Sequence, residues 1–476
     1  MSRRCVSGLK IGFAVVTIAG MAWSPGQAQA ETVESALIQA YQNNPTLNSQ
    51  RAAVRAVDES VPTALAGYRP RVTVTATGGE QVLSSTSLTN PTRAPGAPAT
   101  YFTQNGYNSP YGAGATISQT LFNGFQTANR TRQAEAQVLA ARETLRTSEQ
   151  TVLLNAVTAY MNLLRDTAIL DLQRRNVEVL QEQLRQVRDR FNVGEVTRTD
   201  VAQSESSLAA GRSQVLTAES NYKSSGATYR QVIGHDAAKL TPATPVDRFS
   251  PRSLQDAIGF ASNTHPAVAT AQYNIDAAQL QVKVAEGALY PTLSVQGSYN
   301  QNFMSASSLN AFVNSSATVL GTLSVPIYQG GAEYAAIRQA KETLGQRRLD
   351  FDGARDQVRQ AVVQSWGQLD AAKANIEATS AQVQSSEIAL NGVREEARVG
   401  QRTTLDVLNA QQTLVNARVA LVTAQRDRVV ASYTLLSAVG RLTPPVLGLN
   451  VPVYSATVHY EQVRDNWAGV RTPDGR

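Results

Sequence analysis

The sequence of 476 residues is poor in cysteine, histidine and aromatic residues, and these shortages exclude several classes of protein. Its one cysteine, Cys5, lies within the first 30 residues, so the rest of the chain can form neither a disulfide nor a thiolate site. His235, His265 and His459 lie too far apart in the sequence for metal-ligand spacing. Nucleophile-elbow, zinc-protease, phosphate-loop and Cys-x-x-Cys motifs are also missing. We therefore expect no catalytic residue, no cofactor and no metal site.

The first 30 residues have the pattern of a secretory signal peptide. Three basic residues precede an apolar stretch at 11–22 that is too short to span a bilayer. Ala28-Gln29-Ala30 then supplies the small residues of a cleavage site. The pattern predicts a signal peptide over residues 1–30 that is cut before Glu31. The alternative is an N-terminal membrane anchor.

Long apolar runs are missing after residue 30, where no stretch reaches the roughly 18 apolar residues of a transmembrane helix. The formal net charge of +6 includes three basic residues of the predicted signal peptide, and the remaining positive charges are scattered. A nucleic-acid-binding chain would carry a clustered basic face. The composition therefore predicts no nucleic-acid partner.

The remaining chain contains an internal duplication. Pro45 and Pro70 bound a helical stretch, and Pro266 and Pro291 bound a second one 221 positions later. Four further pairs share an offset of 206: Gly124 and Gly330, Gly194 and Gly400, Asp200 and Asp406, Gly234 and Gly440. Two copies of one supersecondary unit indicate a pseudo-symmetric architecture. We expect a first repeat over 31–250, a second over 251–442, and an irregular tail over 443–476 that packs on the outside of the helices.

Two proline-free stretches, 127–190 and 333–398, predict helices on the order of 100 Å long. Their apolar residues recur every seven positions, which is typical of a coiled-coil seam. The helices that follow carry a bulky seam and, beside it, a row of small residues: Ser204, Gly211, Ala218, Ser225, Ala410, Ala417, Ala424 and Ala431. Such a helix can contact neighbours on both sides, as a closed ring of helices requires. The alternative is a hairpin in which each helix contacts only its partner.

Each long hairpin turns at a matched loop. Gly194 and Gly400 end the incoming helices, where a positive φ costs glycine little. The outgoing helices start with Thr197-x-x-Asp200 and Thr403-x-x-Asp406, which resemble capping boxes. In a ring of hairpins the two carboxylates would be repeated around one axis and could select cations at a constriction. The alternative is that both acids serve only as helix caps.

Four segments, at 71–77, 111–122, 293–300 and 317–328, have the period-two pattern of membrane-barrel strands. Residues 78–110, rich in Ser, Thr, Asn, Pro and Gly, are expected to form a long exposed loop. Four strands cannot close a barrel, and lipid does not tolerate open strand edges. If the strands cross a membrane, several chains must therefore share one barrel.

Taken together, these segments resemble the TolC family of outer-membrane efflux and secretion channels over essentially the whole chain after residue 30. The resemblance rests on residues 399–410 at the second turn, on Leu289-Tyr290-Pro291, and on residues 323–331. It implies a mainly α fold with a β-barrel part, in which a homotrimer forms an outer-membrane barrel of twelve strands and a periplasmic tunnel of twelve helical strands. The competing class is a soluble periplasmic coiled-coil adaptor, which would not need the four amphipathic strands.

The resemblance also implies partners and site residues. The partners would be outer-membrane lipid, a periplasmic adaptor (membrane fusion) protein, and an inner-membrane transporter of the RND, MFS or ABC type. Asp406 matches an acidic ring at the closed periplasmic entrance, and Arg402 and Asp200 match residues whose polar links hold the tips shut. Two positions depart from the family pattern, because Asn409 replaces a second acid and Ala397 replaces a tyrosine. The helical-tip turns expected to dock the adaptor comprise Gly194, Gly400, Thr197 and Thr403.

Overall fold

A computed structural model describes residues 31–89, 94–306 and 312–475. The predicted signal peptide lies outside the described residues. The helices are α1 Val33–Asn43, α2 Pro45–Asp58, α3 Ser60–Leu65, α4 Gln126–Asn192, α5 Arg198–Ile233, α6 Leu254–Thr264, α7 Pro266–Glu286, α8 Ala332–Arg398, α9 Thr404–Ala438, α10 Pro444–Leu447 and α11 Ala456–Val463. The strands are β1 Arg71–Gly78, β2 Gln81–Leu88, β3 Tyr101–Asn123, β4 Thr292–Ala306 and β5 Phe312–Ser324.

The duplication expected from the sequence is present in the fold. Helices α4 and α8 each contain 67 residues, so each is about 100 Å long at 1.5 Å per residue. Helices α1 and α6 each contain 11 residues and lead into α2 and α7 at Pro45 and Pro266. The two copies differ at Pro62, which is present only in the first copy. Proline lacks the N–H that would continue the helical hydrogen bonding. The first copy is therefore divided into α2 and α3, whereas α7 is continuous.

Local hydrogen bonds fix the helix starts that the sequence predicts. The Asn44 side chain accepts hydrogen bonds from the N–H groups of Thr46 and Leu47 at 3.0 and 3.3 Å. In the second copy, His265 Nδ1 accepts from the N–H of Ala267 at 3.1 Å. Both caps precede a proline at the first helical position, where the missing N–H costs nothing. This histidine is therefore a structural cap.

The two hairpins, α4 with α5 and α8 with α9, pack side by side through α4 and α9. Small residues set the close approach of α5 to α4, since a Cβ atom at Gly211 would lie only 2.8 Å from Leu180 Cδ1. On its other side α4 binds α9, where Gln411 Nε2 donates to Asn176 Oδ1 at 3.3 Å. Helix α9 thus contacts α8 on one side and α4 on the other, which confirms for this return helix the two-sided packing expected for a ring. Helix α5 and helix α8 are the outer members of this row.

The strands form one antiparallel sheet in the order β1-β3-β4-β5, with β2 also paired to β3. The prediction of a long loop over 78–110 is wrong, because β2 and the first part of β3 lie within it. Strand β2 continues the register of β1, so that Arg71 faces Ser118 and Gln81 faces Asn108 across β3. The serine and threonine residues of this segment suit a strand once β3 supplies the partner. The last predicted strand, at 317–328, is also shifted toward the N-terminus, because β5 spans Phe312–Ser324.

The main core lies where α1, α2 and the tail pack against α4 and the ends of α5 and α9. Tyr41, Tyr160 and Tyr229 are fully buried there. The tail is more regular than expected, because it contains α10 and α11. Helix α11 packs against α2, where His459 Nδ1 lies 3.0 Å from Oδ2 of the fully buried Asp58. Burial raises the pKa of the Asp58 carboxyl above its ordinary value.

Candidate channel wall and helical tips

One face of the sheet is apolar. Residues paired across antiparallel strands point to the same face, so the registers assign every position to one of two sets. Val72 on β1 faces Ile117 on β3, and Val295 and Tyr299 on β4 continue the same face. The further apolar members of this set are Val74, Ala76, Ala113, Ala115, Phe303, Val313, Val319 and Leu323, and its polar exceptions are Gln119, Gln301 and Ser315. Such a face suits the hydrocarbon of a bilayer.

The opposite face of the same sheet is polar. It carries Thr73, Thr75, Thr77, Thr116, Ser118, Gln296, Ser298, Asn300, Asn302, Asn314, Ser316, Thr318 and Thr322, with Leu320 as an apolar exception. Hydroxyl and amide groups with few charges can remain hydrated along a water-filled passage. Because apolar and polar residues alternate along each strand, one face of the sheet can contact lipid while the other contacts water.

The apolar face has the height of a bilayer core. Along β4 it runs from Leu293 to Phe303, which is about 33 Å at 3.3 Å per residue and roughly 25 Å at the usual strand tilt. Beyond Tyr111 and Phe303 the same face turns polar, first at Glu80, whose carboxylate accepts from Ser109 Oγ at 3.0 Å, and then at Ser84 and Thr86. Tyr111 and Phe303 stack with ring centroids 5.0 Å apart near this upper border. The polar ends of β2 and β3 would therefore project beyond the membrane.

The sheet has open edges within one chain. Strand β1 pairs only with β3 and strand β5 only with β4 among the described strands. Unpaired edge groups cannot face lipid. A sheet of this kind can cross a membrane only when other strands cover its edges. Among the described residues, none of the helices combines the length and the apolar character needed to cross a membrane.

The two hairpin tips have the same backbone geometry. Gly194 and Gly400 have φ values of +83° and +80°, which side chains with a Cβ atom rarely adopt. The N–H of Glu195 donates to the carbonyl of Arg190 at 2.9 Å, and the second tip repeats this bond between Gln401 and Glu396 at 2.9 Å. These are the bonds of a Schellman motif, which ends the incoming helix. The positive φ values thus explain why glycine ends the incoming helix at both turns, as the sequence predicts.

The expected capping boxes are present at both tips. Asp406 Oδ2 accepts from the Thr403 N–H and hydroxyl at 3.0 and 2.8 Å, while the Asp406 N–H donates to Thr403 Oγ1 at 3.2 Å. Thr197 and Asp200 repeat the arrangement. The hydrogen bonds from Thr403 lower the pKa of Asp406, with Arg402 adding to the effect. The hydrogen bonds from Thr197 likewise lower the pKa of Asp200. Both acids therefore cap helices, whatever further role they have.

The predicted latch residues are not joined within one chain. Arg402 Nε donates to Glu396 Oε2 at 2.8 Å, an interaction that raises the pKa of the guanidinium. In the described part of the chain no hydrogen bond or ion pair links Arg402 to Asp200. Asn409 is exposed one turn into α9. Glu396 was missed by sequence reasoning, because a spacing of six residues across a turn gives no periodic signal.

An amphipathic sheet with open edges, carried on helices about 100 Å long, defines an outer-membrane channel protein rather than a soluble adaptor. Comparison with known sequences identifies the family. The profile of the family described as outer membrane efflux protein matches residues 36–235 and 258–441. The chain belongs to this family.

Two curated relatives and one solved structure illustrate the similarity. The outer membrane efflux protein BepC of Brucella suis biovar 1 is 42% identical over 463 residues, 97% of each chain. The outer membrane protein TolC of Escherichia coli K12 is 28% identical over 376 residues, covering 75% of this chain and 76% of that one. The crystal structure of the Campylobacter jejuni outer membrane channel CmeC superposes with a TM-score of 0.74 at 15% identity, covering 96% and 98% of the chains. The protein is thus an outer-membrane channel with a large periplasmic part.

Proposed function

We propose that three copies of the chain form the exit duct of a tripartite efflux pump or a type I secretion system. Because β1 and β2 lie end to end along β3, each copy would contribute four strand positions to one twelve-stranded barrel. Its hairpins would contribute to one periplasmic tunnel. The division of each chain would follow the sequence, with a first repeat over 31–250, a second over 251–442 and a tail over 443–476. The observation that carries the proposal is the sheet, which has a lipid-compatible face, a polar face and two open edges.

The free faces of the outer helices support the same assembly. On α8, Ile388 is 67% exposed and lies two residues from the buried Leu390, so it points away from α9. On α5, Leu216 is also 67% exposed and lies opposite Gly211, which faces α4. Apolar side chains on two unpartnered helix faces indicate packing against further helices. A neighbouring copy would bring α8 against α5 and close the ring.

The partners belong to the same proposal. A duct that ends in exposed helical tips has to receive its substrate from other proteins. We expect a periplasmic adaptor to dock at the tip turns, which contain Gly194, Gly400, Thr197 and Thr403. The adaptor would connect the duct to an inner-membrane transporter of the RND, MFS or ABC type.

The tips would also form the gate. In a trimer the three Asp406 carboxylates would surround the axis and attract cations. Arg402 and Asp200 would form the latch between neighbouring hairpins, in competition with the Arg402–Glu396 ion pair seen within the chain. Since Asn409 and Ala397 replace an acid and a tyrosine of the family pattern, the cation selectivity would be weaker and the latch looser.

Cross-linking at the tip tests the proposed docking. The chain has no cysteine after Cys5, so a single cysteine can be placed without background. Gln401→Cys, labelled with a photoactivatable cross-linker in living cells, should capture a periplasmic adaptor that mass spectrometry identifies. Gln81→Cys, at the start of β2 and remote from the helical tips, is the matched control. Equal capture at both positions, or none at the tip, would contradict the docking proposal.

A further inference from the structure

The last residues of the chain return to the junction between the sheet and the helices. Arg69, two residues before β1, donates from Nη1 to the Asn466 carbonyl at 2.6 Å. Its guanidinium carbon lies 4.7 Å from the centre of the Trp467 ring. These two contacts fix Trp467 beside the start of β1, although the core of the tail packs further away on α2 and α4.

This junction is the lower border of the apolar face. The register places the start of β1, the end of β3, the start of β4 and the end of β5 at one end of the sheet. Each of these four strand ends is followed or preceded within a few residues by an exposed aromatic residue: Tyr68, Phe125, Tyr290 and Tyr328. Tyrosine and tryptophan concentrate where membrane meets water, because their rings are apolar and their polar groups remain hydrated.

Trp467 adds a fifth aromatic ring to this set. Its side chain is 70% exposed, and Val470, three residues further on, is fully exposed. Exposed apolar side chains that are grouped together mark contact with an apolar neighbour, and Trp467 is grouped with the aromatic set. The contact with Arg69 and the continuity with the aromatic set both place that neighbour at the membrane border.

We propose that the C-terminal segment around Trp467 binds the periplasmic leaflet of the outer membrane, with the indole ring among the phospholipid headgroups and upper acyl chains. The tail then anchors the channel at the correct depth and ties α2 and α4 to the bilayer. The proposal rests on the proposed function, because it requires the sheet to cross the membrane.

Tryptophan fluorescence can test this contact with few changes to the chain. Trp23 lies in the predicted signal peptide, so the processed protein retains Trp366 and Trp467. Trp366 is partly buried on α8 in the periplasmic part. Trp366→Phe therefore leaves Trp467 as the single emitter, and Trp467→Phe leaves Trp366 as the matched control.

Both variants are reconstituted in vesicles of phosphatidylcholine mixed with phosphatidylcholine brominated on its acyl chains. We expect bromines near the glycerol end to remove roughly half of the Trp467 emission, as for an interfacial ring. Bromines near the methyl end should quench it less, and Trp366 should be quenched by neither. Val74→Trp, introduced with both natural tryptophans replaced by phenylalanine, reports on the apolar face of the sheet and should be quenched by both lipids.

The outcomes separate the two proposals. Quenching at Val74→Trp without quenching at Trp467 would overturn the tail contact and leave the channel intact. Protection of Trp467 from both bromine and aqueous acrylamide would assign it to a neighbouring chain and would also overturn the lipid contact. If Val74→Trp is not quenched, the sheet does not span the membrane, and both proposals are contradicted.

Discussion

At the scale of single residues, Asp406 raises the question of whether a helix cap can also form a gate. Its Oδ2 atom accepts both hydrogen bonds from Thr403, so the capping function is established by the geometry. A carboxylate in a capping box retains its negative charge, and threefold repetition would add the charges around one axis. The two functions therefore do not compete.

We predict that Asp406→Asn weakens cation selectivity and blockade by divalent or trivalent cations in planar-bilayer recordings. Asparagine keeps a side-chain oxygen that can cap the helix, so the melting temperature should change little. Asp256→Asn alters a similar helix cap, formed with Ser253 at the start of α6 and away from the tips, and should leave blockade unchanged. Unchanged blockade in Asp406→Asn would leave this residue as a cap alone.

The tip glycines allow a second prediction. A Cβ atom added at Gly194 or Gly400 would have no other atom of the described residues within 4 Å. Its cost comes from the backbone, at about 1–2 kcal/mol for each left-handed residue. Gly194→Leu combined with Gly400→Leu should impair export while expression and trimer formation persist.

Gly392→Leu is the control for this double variant. It adds the same side chain to the last turns of α8, where the backbone is helical and the space is also open. Export measured in cells should remain near normal. Normal export by the double variant would count against docking at the tips.

Glu31 is the residue predicted to begin the processed protein, and the fold holds it closely. Its carboxylate accepts from the Tyr229 hydroxyl and lies 3.0 Å from His235 Nε2. Its carbonyl accepts from the Tyr160 hydroxyl at 2.8 Å. Burial and the Glu31 carboxylate together raise the pKa of Tyr229, which keeps its proton available for this bond.

We predict that mass spectrometry of the protein purified from membranes shows Glu31 at the N-terminus. The small residues at Ala28 and Ala30 determine the expected cut. An intact N-terminus would contradict the prediction of an exported and processed chain.

At the scale of elements, the long helices were predictable and part of the sheet was not. The stretches 127–190 and 333–398 fall within the two observed helices, because the absence of proline and the heptad repeat are strong local signals. Strand β2 carries Ser84, Ser85 and Ser87, and only its pairing with β3 shows that they belong to a strand. The ion pair between Arg402 and Glu396 could not be predicted either, since it depends on the path of the turn.

Adjacent positions on β1 provide a test of the two faces of the sheet. Val74 lies on the apolar face and Thr75 on the polar one. We predict that Val74→Arg destabilises the folded channel by about 2–4 kcal/mol if the residue lies near the middle of the bilayer. Thr75→Arg places the same guanidinium group on the water-filled side and should destabilise the folded channel far less.

Refolding into lipid vesicles across a urea series measures this difference, with folding followed by electrophoretic mobility. Thr75→Arg should also reduce cation passage through the channel, because the new charge would line the lumen. Equal destabilisation by the two substitutions would show that the sheet does not separate lipid from water.

At the scale of the whole molecule, the long helices of the two halves, α4 and α8, are equal in length but not in exposure. Helix α4 is buried along much of its length, since α5, α7 and α9 all pack against it. Helix α8 contacts α9 and α7 but leaves apolar residues such as Val363 and Ile388 exposed. This difference between α4 and α8 is expected if a neighbouring copy covers the exposed face of α8 in the assembled channel.

The last prediction concerns that assembly. Light scattering of the detergent-solubilised protein, corrected for bound detergent, should give the mass of three chains. Val363→Glu combined with Ile388→Glu should shift the protein toward monomers, because it buries two charges in the proposed contact with α5 of the next chain. Val363→Leu combined with Ile388→Leu keeps both exposed positions apolar and should leave the trimer intact. Since the open edges of β1 and β5 require cover in lipid, a stable, membrane-inserted monomer of the unaltered protein would refute the shared barrel.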